Sequence, residues 1–340
     1  MRPKGILPLA CLFLLPPASG QVLPPGMTPK ILRAVRKGLE WLARNQNQDG
    51  SWRSSGSYGT VPMAMTSMAG LALLASGSTP TRGPYAPVIQ KALHFVLRNV
   101  HSSGLLATQP PEPSPMYGHG FAMLFLAEVF GMEEDARTQA AIRRVLEKAV
   151  ALTAAAQSRD GGWYYSPTSY TDEGSVTVTQ IQALRACRDA GIAVPKAVID
   201  RAVRYIVRSS NPDGGIRYRV HSGGPGRPAI TAAAVAVFYE AGRYDHPLAE
   251  KALAFARRTI SIENLSGSFY FYAHNYLAQA LFQRGGKDWK RYYRAISAKL
   301  LDIQRPNGSW TRSPAGPIYA TSVSLVILQL PFGYVPAFQR

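Results

Sequence analysis

The chain reads as an all-α protein, an (α/α)6 toroid of six outer–inner helix pairs, on three observations. The first is a repeat of glycine turns. They are Asp49-Gly50-Ser51-Trp52, Ser103-Gly104-Leu105, Asp160-Gly161-Gly162-Trp163, Asp213-Gly214-Gly215-Ile216, Ser266-Gly267-Ser268-Phe269 and Asn307-Gly308-Ser309-Trp310. With Gly50, Gly104, Gly162, Gly215, Gly267 and Gly308 as markers, the steps are 54, 58, 53, 52 and 41 residues. Second, the segment before a turn is basic and amphipathic, so it lies on the outside. Third, the segment after it is apolar almost all round, and a helix apolar on every side is buried on every side.

Each element follows from its own pattern. Leu32, Val35, Leu39 and Leu42 step by 3, 4 and 3, as do Ile142, Val145, Ala149 and Leu152, the spacing of one helix face. Outer helices are expected at about 29–46, 86–100, 136–157, 195–209, 247–262 and 288–304. The inner helices show as Val61-Pro62-Met63-Ala64-Met65 running to Leu74, as Ile230 to Tyr239, and as Thr321 to Leu330. Their expected spans are about 61–76, 117–130, 175–190, 229–241, 270–284 and 318–330. Open solenoids need polar capping repeats. Neither the first nor the last repeat is polar, so the ring is expected to close. Glycine accepts the left-handed backbone of a helix stop, and a preceding Asp or Asn bonds locally to favour the turn. Gln46, Gln157 and Gln304, four or five residues earlier, can bond exposed helix-end groups.

Composition bounds the setting. At 46% hydrophobic and 17% charged, the chain can bury a large core. Residues 1–20 read as a secretory signal: Arg2 and Lys4, an apolar run from Gly5 to Leu15, and Ala18-Ser19-Gly20 before cleavage near Gly20. Pro8-Leu9-Ala10 ahead of Cys11 is a poor lipobox, so cleavage is favoured over a lipid anchor. The mature protein is therefore expected to be exported, periplasmic or secreted. The division is signal 1–20, linker 21–30, toroid 31–330 and tail 331–340. Cleavage leaves Cys187 alone, with no internal disulfide, as a small core residue. No later stretch reaches the roughly 18 apolar residues of a membrane span. The net charge of +18 favours anionic partners, and peripheral contact with anionic surfaces is the membrane role it leaves open. Yet Arg33, Arg36, Lys37 and Arg44 share one outer helix, as do Arg143, Arg144 and Lys148, and the solvated face of an amphipathic helix explains them. Export argues against nucleic acid.

Gly38-Leu39-Glu40-Trp41-Leu42 followed by Gln46-Asn47-Gln48-Asp49-Gly50-Ser51-Trp52 resembles the QW repeat of prenyltransferase and squalene-oxidase-repeat proteins. Lys299 to Trp310 is a second match and Ala156 to Trp163 a third. The resemblance covers about residues 31–330 and implies the toroid of the terpenoid cyclase and protein prenyltransferase superfamily, with a central apolar cavity. Met116-Tyr117-Gly118-His119-Gly120-Phe121 and Phe332-Gly333-Tyr334-Val335-Pro336 resemble exported planctomycete-type members of unassigned function.

The superfamily's catalytic signatures are absent. There is no Asp-x-Asp-Asp for class II cyclisation and no Asp-Asp-x-x-Asp; Glu133-Glu134-Asp135 begins an outer helix. Phe271 to Leu277 resembles the histidine-bearing prenyltransferase helix without its Asp-x-Cys partner, so neither a zinc site nor any other cofactor is expected. Asp172 and Glu173, ahead of the third inner helix, are the nearest stand-in for an acid. Carboxylates there also cap free N–H groups, which is the favoured reading. In a closed ring the segments after the turns gather at one end. They would rim the cavity with Tyr58, Tyr117, His119, Tyr170, His221, Tyr272, His274 and Tyr319, a set suited to ligand binding. Each Tyr equally serves to anchor an inner helix. The chain is therefore expected to bind a hydrophobic or glycan ligand, or a protein partner. A divergent isoprenoid cyclase using Asp172 or Glu173, and a lyase or hydrolase of acidic polysaccharide, are the alternatives.

Overall fold

A computed structural model describes residues 23–339 apart from 169, 241–243 and 268. The expected signal segment and Cys11 lie outside the described residues. The outer helices are α1 (Pro29–Arg44), α3 (Ala86–Arg98), α5 (Ala136–Ala155), α7 (Lys196–Arg208), α9 (Pro247–Thr259) and α11 (Gly286–Ile303). The inner ones are α2 (Pro62–Leu74), α4 (Pro115–Phe130), α6 (Gly174–Asp189), α8 (Pro228–Glu240), α10 (Tyr270–Arg284) and α12 (Gly316–Gln329). Both sets match the expected spans closely. The periodicity that predicts them is local, and proline or glycine marks several starts.

Each inner helix packs on the inner helices before and after it, and α12 packs on α2, so the barrel is closed. The outer helices sit in the grooves outside it. Their bases face solvent: Arg33, Arg36, Lys37, Arg44, Arg143, Arg144 and Lys148 are all exposed. No helix among the described residues is long and apolar enough to cross a membrane. Cys187 is fully buried on α6, and burial pushes its thiol up, away from the reactive thiolate.

The glycine turns fasten one repeat to the next. Gly50 has φ 87°, and a β-carbon there would lie 2.3 Å from the carbonyl oxygen of Lys91 in the following outer helix. Gly104, Gly161 and Gly214 meet the carbonyls of Lys148, Arg201 and Lys251 in the same way. Gly308 meets that of Lys37 at 2.3 Å and closes the ring. Two expected markers shift by one position, because Gly161 and Gly214, not Gly162 and Gly215, take the left-handed conformation. Two residues on, a large apolar side chain is buried each time: Trp52, Leu106, Trp163, Ile216 and Trp310. Leu106, not Leu105, is thus the equivalent in the second repeat. Each tryptophan indole donates to the carbonyl ten residues earlier, Leu42, Thr153 or Leu300, at 2.7–2.9 Å.

The glutamines do more than close their own turns. Gln46 donates to the carbonyls of Gly50 and Val88, Gln157 to Gly161 and Val198, and Gln304 to Gly308 and Ala34. Each therefore bridges to the next outer helix. The fifth turn departs from the pattern: a β-carbon at Gly267 would meet nothing within 4 Å, and Phe269 is 61% exposed.

Both segments set apart from the ring pack onto it. Met27, in the expected linker, is buried against Tyr293. The tail crosses the C-terminal ends of the inner helices, with Val335 and Phe338 buried and Ala337 N–H donating to Glu128 Oε1 at 3.2 Å. The barrel thus has one plugged end, and its mouth lies at the opposite, glycine-turn end.

Candidate functional site

The mouth is built from the N-terminal turns of the inner helices and the segments that lead into them. The residue two after the glycine is held by its own backbone N–H, which donates to a side chain one turn into the inner helix. The acceptors are Thr66, Thr177, Thr231 and Thr321. His119 takes this place in the second repeat: its Nδ1 accepts from Leu106 N–H at 3.1 Å, and its Nε2 lies 2.9 Å from Thr153 Oγ1. His274 occupies the same register in the fifth, 2.9 Å from the Tyr292 hydroxyl. Both imidazoles are fully buried between the inner and outer layers, so the structure takes them away from the expected rim. In sequence, a histidine standing where other repeats carry threonine looks like a polar rim residue.

Burial pushes both imidazoles down to about 4, so they fold neutral, whereas in the unfolded chain they gain a proton below the ordinary value of 6.5. Their contribution is complete above pH 6.5 and is lost as pH falls towards 4. His119→Asn keeps an acceptor for Leu106 without titrating. Unfolding free energy measured from pH 4 to 7 is expected to fall less steeply on acidification in this variant. An unchanged slope would show that His119 is not held neutral.

The remaining expected rim residues separate by exposure. Tyr58 (51%), Tyr170 (98%) and His221 lie on exposed loops, with His221 2.8 Å from Asp160. Tyr117, Tyr272 and Tyr319 are half-buried, one on each of α4, α10 and α12. Two of these converge on α6: the Tyr117 hydroxyl bonds Ser175 Oγ, and that of Tyr272 donates to the Ser175 carbonyl at 3.4 Å. The Tyr165 ring lies tilted against that of Tyr117, centroids 5.9 Å apart, and its hydroxyl bonds that of Tyr218. Arg219 lies over the rings of Tyr164 and Tyr218, at 5.1 and 5.6 Å. Burial first, and the Glu173 carboxylate second or later, push the Tyr117 and Tyr272 hydroxyls up, so they remain protonated donors.

Gln182 on α6 donates to Gln279 on α10 at 2.8 Å, between two helices that are not neighbours in the ring. Each glutamine lies seven residues, two helical turns, beyond the mouth residue on its own helix: Ser175 for Gln182, Tyr272 for Gln279. Polar side chains therefore bridge the lumen where the family resemblance leads one to expect an apolar cavity. Ser175, Gln182, Gln279 and Arg219 also belong to this arrangement and lie outside the set expected from the sequence. The seven-residue spacing of polar positions within otherwise apolar helices is the signal that could have found them.

Asp172 and Glu173 are both buried, with both oxygens of Glu173 and the Oδ2 of Asp172 accepting hydrogen bonds. Glu173 is the N-cap of α6, accepting from the N–H groups of Ser175 and Val176 and from the Ser175 hydroxyl. Burial raises its carboxyl, while those donors oppose the rise. Asp172 accepts from the Ser158 hydroxyl at 2.7 Å. Among the described residues, no group of three or more His, Cys, Asp or Glu is placed to hold a metal ion.

No protein-family model matches the chain. A drimenyl diphosphate synthase of Streptomyces showdoensis is 29% identical over 197 residues, 58% of this chain and 34% of that protein. The chain thus spans about a third of that relative's length. Among solved structures, a variant of the type II terpene cyclase MstE from Scytonema, in complex with its product merosterolic acid A, superposes with a TM-score of 0.59. It is 15% identical and covers 91% of this chain and 98% of its own. An inactive variant of an α-1,6-mannanase from Salegentibacter, in complex with α-1,6-mannotriose, superposes at 0.65 with 9% identity, covering 88% and 98%. The fold is therefore the α/α toroid of terpenoid cyclase-like proteins, one that α-mannanases also adopt.

Proposed function

We propose that this terpenoid cyclase-like toroid binds a glycan-like, polyhydroxylated ligand at the tyrosine-lined mouth of its ring. One observation carries the reading: Tyr117 and Tyr272 aim their hydroxyls at Ser175 above a lumen that Gln182 and Gln279 bridge. Sugar rings present C–H faces to aromatic rings and hydroxyls to Tyr, Ser and Arg, and the mouth offers all of these. A long isoprenoid chain needs a deep apolar channel, and threading it here would break the hydrogen bond between the two amides against an apolar ligand that cannot replace it. Export, expected from the leader, would place the ring where glycans are met. That one structural neighbour is a mannanase solved with a mannotriose supports this choice of ligand class.

Asp172 and Glu173 carry no catalytic step. A cyclase acid must donate a proton, and Glu173 accepts at both oxygens. A glycosidase needs two carboxyls facing each other across a substrate, whereas these two bond in different directions. A protein partner is the second reading, favoured by the exposed Tyr58, Tyr170 and Phe269.

Binding is checked by titrating a panel of neutral trisaccharides of mannose, glucose and N-acetylglucosamine, alongside native mass spectrometry of the purified protein. The double variant Tyr117→Phe/Tyr272→Phe keeps the rings and loses two hydroxyls. It is expected to weaken the best saccharide by about tenfold or more, from roughly 1 kcal/mol per neutral hydrogen bond. Co-purification of an isoprenoid lipid, or silence across the whole panel, would overturn the reading.

A further inference from the structure

We infer that Glu112 is a second ligand contact at the mouth, its Oε2 accepting a hydroxyl of the bound saccharide. This rests on the glycan-binding reading above. In three successive repeats the inner helix is held by a backbone N–H three residues before the threonine or histidine that fastens the turn: Met63, Met116 and Gly174. Met116 donates to the main-chain carbonyl of Tyr165, and Gly174 to that of Tyr218, each four residues past the left-handed glycine of the next repeat. The equivalent carbonyl for Met63 would be that of Thr108, but it is occupied by the His101 ring at 3.1 Å. The chain instead runs on through Pro110, Pro111, Pro113 and Pro115, and Met63 N–H donates to Glu112 Oε1 at 3.1 Å.

A neutral carbonyl suffices for this task in the neighbouring repeats. Glutamate performs it with one oxygen and leaves the other over. Glu112 is 8% exposed, and its Oε2 is buried without a hydrogen-bond partner, a state that carboxylates avoid unless a donor arrives. A second observation falls at the same point. Val61, the N-cap of α2, has φ 29° and ψ 56°, a left-handed conformation that a β-branched side chain resists. Such strain persists where surrounding structure holds it, and it gathers at ligand contacts. The four prolines stiffen the segment that carries the carboxylate. The carboxylate is therefore preorganised: a rigid loop holds one bonded and one unpartnered oxygen at the N-terminal end of α2. Tyr117 lies two residues into the helix that follows this loop, and Tyr58 lies three residues before Val61.

The test compares wild type, Glu112→Gln and Glu112→Ala by titration with the same neutral trisaccharides and by thermal melting. Glu112→Gln can keep its carbonyl oxygen on Met63 while replacing the open acceptor by an amide donor. It is expected to melt as wild type does and to bind about tenfold more weakly. Glu112→Ala is expected to lose both binding and melting temperature. Wild-type affinity in Glu112→Gln would overturn the inference and leave the glycan reading standing. Parallel loss of melting temperature and affinity in Glu112→Gln would reduce Glu112 to a structural cap. No saccharide binding by wild type would remove both proposals.

Discussion

Gly308→Ala is expected to destabilise the protein by about 3 kcal/mol or more, whereas Gly267→Ala changes stability by less than about 0.5 kcal/mol. The two occupy corresponding turns and look alike in sequence. Gly308 has φ 96°, where a β-carbon costs roughly 1–2 kcal/mol before any contact is made. That β-carbon would also lie 2.3 Å from the Lys37 carbonyl, so α1 must retreat from the turn. The retreat strains the Gln304 bond to the Ala34 carbonyl and the burial of Trp310 against Gly38, both parts of the seam that joins the last repeat to the first. Gly267 meets nothing within 4 Å. Urea denaturation of both variants checks the contrast. Equal losses would show that the glycine turns do not fasten neighbouring repeats.

Glu128→Gln is expected to stabilise the protein by about 3 kcal/mol at pH 8 and by little at pH 4.5. Burial, the largest cause, pushes the Glu128 carboxyl up to about 7, nearby Asp189 adds to the rise, and the Ala337 N–H opposes it. The sign follows from proton counts. Between the ordinary value of 4.5 and about 7 the folded state holds a proton that the unfolded state has released. The contribution of Glu128 to stability is therefore most favourable below pH 4.5, falls as pH rises through 7, and is level above. Glutamine keeps an acceptor for Ala337 and carries no charge, so the penalty disappears. The tail should hold more firmly at alkaline pH, which hydrogen exchange at Ala337 reads directly. A variant no more stable than wild type at pH 8 would mean that Glu128 is ionised without cost.

How far the sequence is legible depends on the range of the interaction that writes each feature. Helices α1 to α12 show because burial repeats every three or four residues along one segment, a signal contained within it. Trp52, Trp163 and Trp310 mark their turns because the same ten-residue loop buries the same indole. The register of Gly161 against Gly162 does not show, since either glycine permits the turn and only the approach of Arg201 selects one. The burial of His119 and His274 does not show for a related reason. Their partners Thr153 and Tyr292 lie 34 and 18 residues away, and no local pattern records that pairing.

By itself the sequence determined the closed all-α ring with its six outer and six inner helices. These follow from periodicity, glycine chemistry and the absence of polar capping repeats. Tertiary structure alone decided which tyrosines are half-buried on the inner helices, that Gln182 and Gln279 meet across the lumen, and that the tail packs over the far end. It also set Glu112 in the place of a backbone carbonyl. These contacts join residues 49 to 209 positions apart, and only the curvature of the assembled ring brings them within bonding distance.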